Sequence, residues 1–298
     1  MQEIVHYPKG FIPKKSFSFM SKSYFDRVLE ARLTQGIEKS RKVGEAAVYS
    51  TMGGKRYRAF VGRMAYSLQG GNHMGFLGSA LGIECIHGAS LIFDDSDHFD
   101  NSPLRKGKTA THIKFGSAIA DLTGLYLTEK GRQFIIQNAS SHLSSNEEVA
   151  EISDLIAEYS TGLISGQEID VSPERDERIF RELMHKKNIL FEFACVLPAY
   201  LLKKKENLPV LKAVGSDLSF GYQLLDDLRD ELGDVKDEGK PVRSDGLNYV
   251  KFVGVEKARK ELKDISERTI ANIRMIRKSS SLEHLVSKIF GYADRLKG

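Results

Sequence analysis

The chain has 298 residues, of which 41% are hydrophobic and 28% charged, and only 7 are prolines. This composition is that of a globular protein and excludes the collagen-like, disordered and low-complexity classes. The formal net charge of +4 comes from 44 basic and 40 acidic residues, so no broad basic field is present to bind nucleic acid.

The cysteines, the N-terminal residues and the apolar segments indicate the cellular compartment of the protein. Cys85 and Cys195 lie in apolar stretches without metal-ligand spacing, which argues against a disulfide framework or a zinc site and favours a reducing cytoplasm. Residues 1–10, MQEIVHYPKG, lack the basic-then-apolar order of a secretory signal, and we predict an N-terminal arm over residues 1–18. Charged residues interrupt the apolar segments 75–93 and 189–202, so no transmembrane helix is predicted.

Apolar residues recur at the helical period along the chain. One stripe runs from Phe25 to Ile37, another from Val149 to Leu163, and a third from Val255 to Ile276. No stretch shows the sustained alternation of a strand, and the breaks fall at clusters of Gly, Asn and Ser. We therefore predict one all-α domain over residues 1–298, with roughly ten helices.

An acidic cluster closes one of the apolar helices, and it contains Asp94, Asp95, Asp97 and Asp100. Carboxylates this close repel one another unless a cation or a basic ligand lies between them. His87 and Asp94 share one helical face, whereas Asp100 needs a non-helical turn to rejoin them. A solvated helix end is the plain alternative for an isolated acidic run.

A second acidic cluster follows far along the chain and contains Asp226, Asp227 and Asp230. Asp226 and Asp230 are one helical turn apart and can share a metal ion. Mg²⁺ binds a few carboxylate oxygens and keeps its other positions for water or phosphate oxygens. Two facing acidic clusters therefore suit a diphosphate held through several divalent ions.

Two basic runs complement the carboxylates: Gly53-Gly54-Lys55-Arg56-Tyr57-Arg58 and Arg105-Lys106-Gly107-Lys108. A glycine turn that leads into a helix presents backbone amides to an anion. Arg and Lys beside aspartates can hold the outer oxygens of a metal-bound diphosphate. Either run taken singly could also be an ordinary surface turn.

Better-known phosphate and calcium motifs fit poorly. The segment 102–109 ends like a P-loop, but Ser102 occupies the place of its first glycine and the acidic segment precedes it, which reverses the order. An EF-hand loop counted from Asp94 or Asp95 has Arg105 or Lys106 in place of its glutamate. No serine nucleophile motif of the G-x-S-x-G type is present.

Taken together, these motifs resemble those of the trans-isoprenyl diphosphate synthases of the farnesyl and geranylgeranyl type. The likeness runs in chain order from about Gly53 to Lys257. GGKRYR is similar to GGKRxR, segment 94–112 to DDxxxxD followed by LRRGxPxxH, and segment 166–170 to GQxxD. Lys187-Asn188 stands for Lys-Thr, and segment 222–230 resembles FQxxDDxxD, followed by Gly239-Lys240.

The resemblance implies a bundle of long antiparallel helices around a deep central cavity, usually in a homodimer. It implies a prenyltransferase that condenses isopentenyl diphosphate with an allylic prenyl diphosphate, using about three Mg²⁺ ions. It assigns the metal ions to Asp94, Asp100, Asp226 and Asp230, with Asp95 and Asp227 as supporting catalytic residues. It assigns isopentenyl diphosphate to Lys55, Arg58, His87 and Lys106, and the allylic substrate to Arg105, Lys187, Asn188, Gln223 and Lys240.

This chemistry needs no side-chain base, because the departed diphosphate can accept the proton that the condensed chain loses. The lack of a recognisable catalytic dyad is consistent with it. Gln223 and Asn188 could turn their carbonyl dipoles towards a carbocation, or could form hydrogen bonds between helices.

Several positions depart from the family pattern. Lys106 replaces an arginine, which exchanges a forked donor for a point charge, and Asn188 replaces a threonine. The segment after Lys240 is shorter than usual and lacks a Lys-x-Thr step. Leu125 follows Gly124 where an aspartate is usual.

Product length depends on the helix before the first acidic cluster. Ala89 and Ser90 are small, so no aromatic side chain at these positions would block a growing prenyl tail. Ile86 and Tyr126 are the next large side chains that could stop its growth. We predict geranylgeranyl diphosphate as the product, with farnesyl diphosphate as the other candidate.

Two alternative functions remain open from the sequence. A terpene cyclase could use the same ionisation, but it ordinarily carries a different second motif and needs no isopentenyl pocket. The chain could also be a non-catalytic partner subunit of another prenyl synthase, although it retains all the principal aspartates.

Overall fold

The computed structural model describes residues 21–35, 41–72, 74–172, 176–232, 248–277, 280–291 and 296. The predicted arm at residues 1–18 and the candidate residue Lys240 lie outside these ranges. Within them the chain forms thirteen α-helices, one 3-10 turn and one short hairpin, which confirms the predicted all-α fold and exceeds the predicted number of helices.

The first half of the described chain contains α1 (Lys22–Thr34), α2 (Lys42–Thr51), α3 (Tyr57–Leu68), α4 (Leu77–Asp95), the antiparallel strands β1 (Leu104–Arg105) and β2 (Lys108–Thr109), α5 (Thr111–Phe115) and α6 (Ser117–Ser140). The second half contains α7 (Asn146–Val171), α8 (Glu177–Lys186), α9 (Leu190–Leu201), the 3-10 turn (Lys205–Asn207), α10 (Leu208–Glu231), α11 (Tyr249–Val253), α12 (Val255–Ile276) and α13 (Ser280–Phe290).

The core is centred on α9, whose side chains are nearly all buried and which packs against α3 and α10. Each apolar stripe predicted from the sequence faces this core within the described residues, with Phe25, Ile152 and Leu262 as examples. No helix in the described part of the chain is long and apolar enough to cross a membrane.

Glycines line the contact between helices α4 and α6 and let the two helices approach closely. A Cβ atom built on Gly82 would lie 2.5 Å from the Gly131 carbonyl oxygen. A Cβ atom on Gly124 would lie 2.5 Å from the ring of Phe93, the residue before the first acidic cluster. This close packing fixes the end of α4, where the candidate site begins.

Helix α7 begins at a capping box. The Ser145 side chain accepts a hydrogen bond from the Glu148 backbone N–H, and the Glu148 carboxylate accepts one from the Ser145 N–H. This defined start sets the register of the helix, whose last turn brings Asp170 into the site.

Candidate functional site

The first acidic cluster folds back on itself at the end of α4. The Asp100 backbone N–H donates to the Asp94 carbonyl oxygen at 3.0 Å, and the Asn101 N–H donates to Ser96 O at 2.8 Å. Asn101 has a positive φ of 46°, which an asparagine tolerates better than most residues. The predicted non-helical turn is thus present, and it returns Asp100 to Asp94.

Three carboxylates from two parts of the chain converge beside this turn. One oxygen from each of Asp94, Asp100 and Asp170 lies within 4.8 Å of the other two. Asp170 comes from α7, and the sequence reasoning gave it no metal role although its GQxxD motif was recognised. Oxygen donors at this spacing suit a hard divalent cation.

Gly166 explains how α7 reaches this position. A Cβ atom at Gly166 would lie 2.9 Å from the Lys186 Cβ and 3.3 Å from the Lys187 backbone nitrogen. Without a side chain there, α7 packs directly against the turn between α8 and α9. This contact places Asp170, one helical turn after Gly166, next to Lys187.

Lys187 connects the two acidic clusters electrostatically. Its ammonium lies 2.6 Å from Asp170 Oδ2. Burial opposes its charge, but Asp170, Asp94 and Asp100 outweigh burial and raise the pKa of Lys187. The Lys187 charge also acts on Asp227, where it offsets part of the rise in pKa that burial causes. One cation therefore faces carboxylates from both clusters.

Arg105 lies on the hairpin strand β1 and is held by the first acidic cluster. Its Nε donates to Asp95 Oδ2 at 2.7 Å, and its Nη2 donates to Asp94 Oδ2 at 2.8 Å and to Asp95 Oδ1. Burial opposes the charge of Arg105, yet the two carboxylates raise its pKa. Asp95 thus accepts from two nitrogens of the guanidinium and fixes its orientation.

The three aspartates of the second acidic cluster lie in different environments. Asp226 is half-buried and pairs with Arg229 at 2.9 Å, while Asp230 is exposed near the end of α10. Asp227 is buried, and its carboxylate accepts from Gln223 Nε2 at 2.8 Å and from the Tyr249 backbone N–H at 2.7 Å. Burial raises the pKa of Asp227 to about 6. Asp227 therefore anchors α11 to α10.

Three of the residues predicted to bind isopentenyl diphosphate, Arg58, His87 and Lys106, lie near one another. Arg58 Nη1 lies 3.1 Å from His87 Nε2. Burial, followed by the charges of Arg58 and Lys106, lowers the pKa of His87 well below its ordinary value, so the ring is neutral and accepts from Arg58. Burial also lowers the pKa of Lys106 to about 8. A buried arginine and a half-buried lysine on either side of a neutral histidine suit a multiply charged anion.

Lys55 and Arg56 differ sharply within the GGKRYR run. Lys55 is exposed, whereas Arg56 is buried in a left-handed backbone conformation with φ 62°. Arg56 donates to Asp26 Oδ1 at 2.8 Å, to Glu84 Oε2 at 2.9 Å and to Thr51 O at 2.7 Å. Sequence reasoning missed this structural role, because the two acceptor carboxylates lie on other helices.

Asn188 and Gln223, predicted near the allylic diphosphate, are joined to each other. Asn188 Nδ2 donates to Gln223 Oε1 at 2.9 Å, and Asn188 Oδ1 accepts from Arg58 Nη2. Both carbonyl oxygens are thus engaged by protein donors. The structure fits the alternative of hydrogen bonding between helices, rather than carbonyl dipoles free to face a cation.

A small, partly open pocket lies beside the basic residues, between α2, α4 and the hairpin. It is lined by Tyr49, Gly88, Asp95, Arg105 and Lys106, among others. The deep central cavity expected for a prenyl tail stays a prediction.

Comparisons with known proteins agree with this geometry. A family model described as Polyprenyl synthetase matches residues 40–288. Geranylgeranyl pyrophosphate synthase 12, chloroplastic, of Arabidopsis thaliana is 30% identical over 276 residues, which cover 85% of this chain and 75% of that protein. Farnesyl diphosphate synthase of Escherichia coli is 30% identical over 243 residues, with 77% and 80% covered. The crystal structure of a geranyltranstransferase from Thermotoga maritima superposes with a TM-score of 0.78 at 25% identity, covering 92% of this chain and 97% of that one.

Proposed function

Because the chain belongs to the polyprenyl synthetase family, we propose that it condenses isopentenyl diphosphate with an allylic diphosphate, head to tail and in trans, to form a linear prenyl diphosphate. It is a prenyltransferase whose relatives include geranylgeranyl and farnesyl diphosphate synthases. The structural observation that carries the proposal is a three-carboxylate cluster with the cations Arg105, Lys106 and Arg58 gathered next to it.

The acidic residues fit Mg²⁺ by their chemistry. Asp94, Asp100 and Asp170 offer converging carboxylate oxygens, and Asp226 and Asp230 add carboxylates from the second cluster. We assign about three ions to these residues, by analogy with the family. When bound, Mg²⁺ neutralises the charge that grows on the leaving diphosphate.

Isopentenyl diphosphate would occupy the pocket of Arg58, His87 and Lys106, with Lys55 at its exposed edge. Neutral His87 accepts a hydrogen bond from Arg58 and orients the guanidinium. Lys106 and Arg58 supply positive charge from two sides of the pocket. Their partial desolvation strengthens the attraction for a diphosphate.

The allylic diphosphate would lie between Arg105 and Lys187, whose charges face the acidic clusters. Asn188 and Gln223 line the same side, and Lys240, outside the described residues, completes the assignment. Arg105 and Lys187 would hold the outer oxygens of the diphosphate. The proton lost after condensation passes to the departed diphosphate, so no side-chain base is required.

The helix α4 supports a product of geranylgeranyl length. Ser90 is half-buried on the same face as His87 and Asp94, and its hydroxyl donates to His87 O at 2.9 Å. Tyr126, a candidate floor residue on α6, is tied to α1 because its hydroxyl donates to Leu33 O at 2.9 Å. Because the Ser90 side chain is small, it leaves room for a growing prenyl tail between α4 at Ser90 and Tyr126 on α6.

We also propose a homodimer of single-domain chains in the cytoplasm. Leu122 and Leu125 on α6 are 52% and 59% exposed, which supports a face covered by a second copy. Cys85 and Cys195 are buried free thiols, which supports a reducing compartment.

The test is an elongation assay on the purified full chain. The protein is incubated with Mg²⁺, labelled isopentenyl diphosphate and dimethylallyl, geranyl or farnesyl diphosphate, and the products are sized. We expect linear products that end at geranylgeranyl length. Cyclic hydrocarbon products would indicate a terpene cyclase, and a lack of elongation with every primer would reject the proposal in favour of a partner subunit.

A further inference from the structure

One continuous hydrogen-bond chain crosses the site and uses side chains from three parts of the fold. Arg58 on α3 donates through Nη2 to Asn188 Oδ1, in the turn before α9. Asn188 Nδ2 donates to Gln223 Oε1 at 2.9 Å on α10. Gln223 Nε2 donates to Asp227 Oδ1 at 2.8 Å on the same helix. We call these four residues the relay.

The arginine end of the relay fixes its direction. A guanidinium can only donate, so Asn188 must present its oxygen to Arg58 and its NH₂ group to Gln223. Gln223 accepts from Asn188 through its oxygen, so it presents its NH₂ group to Asp227. Every amide in the relay therefore has one orientation that satisfies both neighbours.

Burial makes this orientation costly to change. Asn188 is 5% exposed, and Arg58 and Asp227 are also buried. Arg58 is further enclosed by aromatic rings, with its guanidinium carbon 4.6 Å from the Phe191 ring centre and 5.5 Å from that of Tyr222. An amide that turned over would leave polar groups of buried residues unpaired.

The two ends of the relay lie in the two substrate half-sites, one assigned to isopentenyl diphosphate and the other to the allylic diphosphate. Arg58 also contacts His87 at 3.1 Å, in the pocket assigned to isopentenyl diphosphate. Asp227 lies in the second acidic cluster and also accepts from the Tyr249 backbone at 2.7 Å. Asn188 forms hydrogen bonds with both Arg58 and Gln223 and so joins the two ends.

We propose that Asn188 is a positioning residue that holds Arg58 and Gln223 together, so that one hydrogen-bond relay sets the geometry of both substrate half-sites. The proposal rests on the proposed prenyltransferase function. Asparagine suits this task because its acceptor and donor are separate atoms that face opposite neighbours. A threonine, which stands here in the family pattern, has one hydroxyl oxygen closer to the backbone and bridges a shorter gap.

Because the relay joins Gln223 to Arg58, a substitution at Gln223 should change the KM for isopentenyl diphosphate. We therefore compare four full-length proteins: the unchanged chain, Gln223→Leu, Asn188→Ala and the double variant. The readouts are KM for isopentenyl diphosphate at a saturating allylic primer, and kcat. We expect Gln223→Leu to raise this KM about fivefold in the presence of Asn188, and to raise it no further in the Asn188→Ala background.

Ser219→Ala is the matched control. Ser219 lies on α10 like Gln223, and its hydroxyl donates to the backbone oxygen of Asn188 at 2.9 Å, but it is outside the relay. We expect this variant to leave KM for isopentenyl diphosphate unchanged. A KM that is insensitive to Gln223→Leu, or single-variant effects that multiply in the double variant, would overturn the proposal.

A second measurement separates the relay from the proposed function. Should the unchanged chain elongate no primer, the same four proteins are compared by urea unfolding without ligand. A loss of stability in the double variant that is smaller than the sum of the single losses supports the relay. An additive loss overturns it, whatever the reaction of the protein is.

Discussion

The ammonium of Lys187 lies 2.6 Å from Asp170 Oδ2, at the edge of the cluster that Asp170 forms with Asp94 and Asp100. Lys187 therefore neutralises part of the negative charge that would otherwise keep three carboxylates apart. A divalent cation bound by this cluster would share Asp170 with the lysine. Asp170 is thus placed to link metal binding to the position of Lys187.

We predict that Asp170→Asn weakens Mg²⁺ binding. The substitution removes one carboxylate charge from the cluster and releases Lys187, so the Mg²⁺ concentration that gives half-maximal activity should rise about tenfold. Activity is measured against Mg²⁺ concentration at fixed substrates. Glu168→Gln, an exposed change on the same helix with the same loss of charge, is the control and should leave the curve in place. Coinciding curves for Asp170→Asn and the unchanged chain would remove Asp170 from the metal site.

The stability of the protein should depend on pH through Asp227. Burial raises the pKa of this carboxyl from 3.8 in the unfolded chain to about 6 in the fold. The unfolded state therefore loses its proton first as the pH rises, and the fold loses stability between about pH 4 and pH 6. Over this window, the unfolding free energy of the unchanged chain should fall by about 3 kcal/mol relative to Asp227→Asn.

Urea unfolding of both proteins at several pH values checks this prediction. Asp154→Asn, an exposed substitution on α7, controls for the change of net charge. Parallel stability profiles for Asp227→Asn and the unchanged chain would show that burial of Asp227 does not couple stability to pH.

Much of this arrangement could be predicted from the sequence, because it depends on local spacing. The helical stripes, the return of Asp100 to Asp94 and the contact of Arg58 with His87 all follow from residues whose periodicity or motif is visible in the chain. Asp170 as a third carboxylate of the cluster could not be found in this way. Its place depends on the approach of α7 to the turn before α9, which Gly166 permits.

Tertiary contacts also decided which residue of a motif faces the site. Arg56 and Arg58 are two residues apart, yet Arg56 turns to Glu84 and Asp26 whereas Arg58 turns to His87. The left-handed backbone at Arg56 produces this division, and no sequence rule predicts it for an arginine. The functional and the structural cation could therefore be told apart only in the folded chain.

Arg56→Met should strongly destabilise the fold. Glu84 is buried and loses its charged partner in this variant, and removal of one member of a buried pair costs about 3–5 kcal/mol. A second change, Glu84→Leu, should restore part of the loss because no carboxylate then remains unpaired. Thermal and urea unfolding of the single and double variants measure this. Lys55→Met, a neighbouring exposed change, should have little effect, and an equal loss in both single variants would contradict the assignment.

A large side chain at position 90 should shorten the product with less loss of stability than one at position 89. Ser90 is half-buried on the open face of α4, whereas Ala89 is 2% exposed and packed in the core. Ser90→Phe should therefore shorten the product, because the ring blocks the path of the growing tail. Ala89→Phe should also shorten it, but at a cost of about 1–3 kcal/mol in stability from overpacking. Sizing of the products and thermal unfolding test both variants. An unchanged product length in Ser90→Phe would show that the growing tail does not pass Ser90.

The affinity for isopentenyl diphosphate should fall above about pH 8 through Lys106. Burial lowers the pKa of this lysine to about 8, so its ammonium loses its proton within the range where enzymes are readily assayed. The charged form attracts the diphosphate and the neutral form does not, so kcat/KM for isopentenyl diphosphate should decline as the pH rises through this value. Lys106→Arg keeps the charge at every accessible pH and should remove the decline, although its forked donor changes the contact. A profile in Lys106→Arg that falls at the same pH as in the unchanged chain would assign the titration to another group, and would show that the charge of Lys106 is not what holds the substrate.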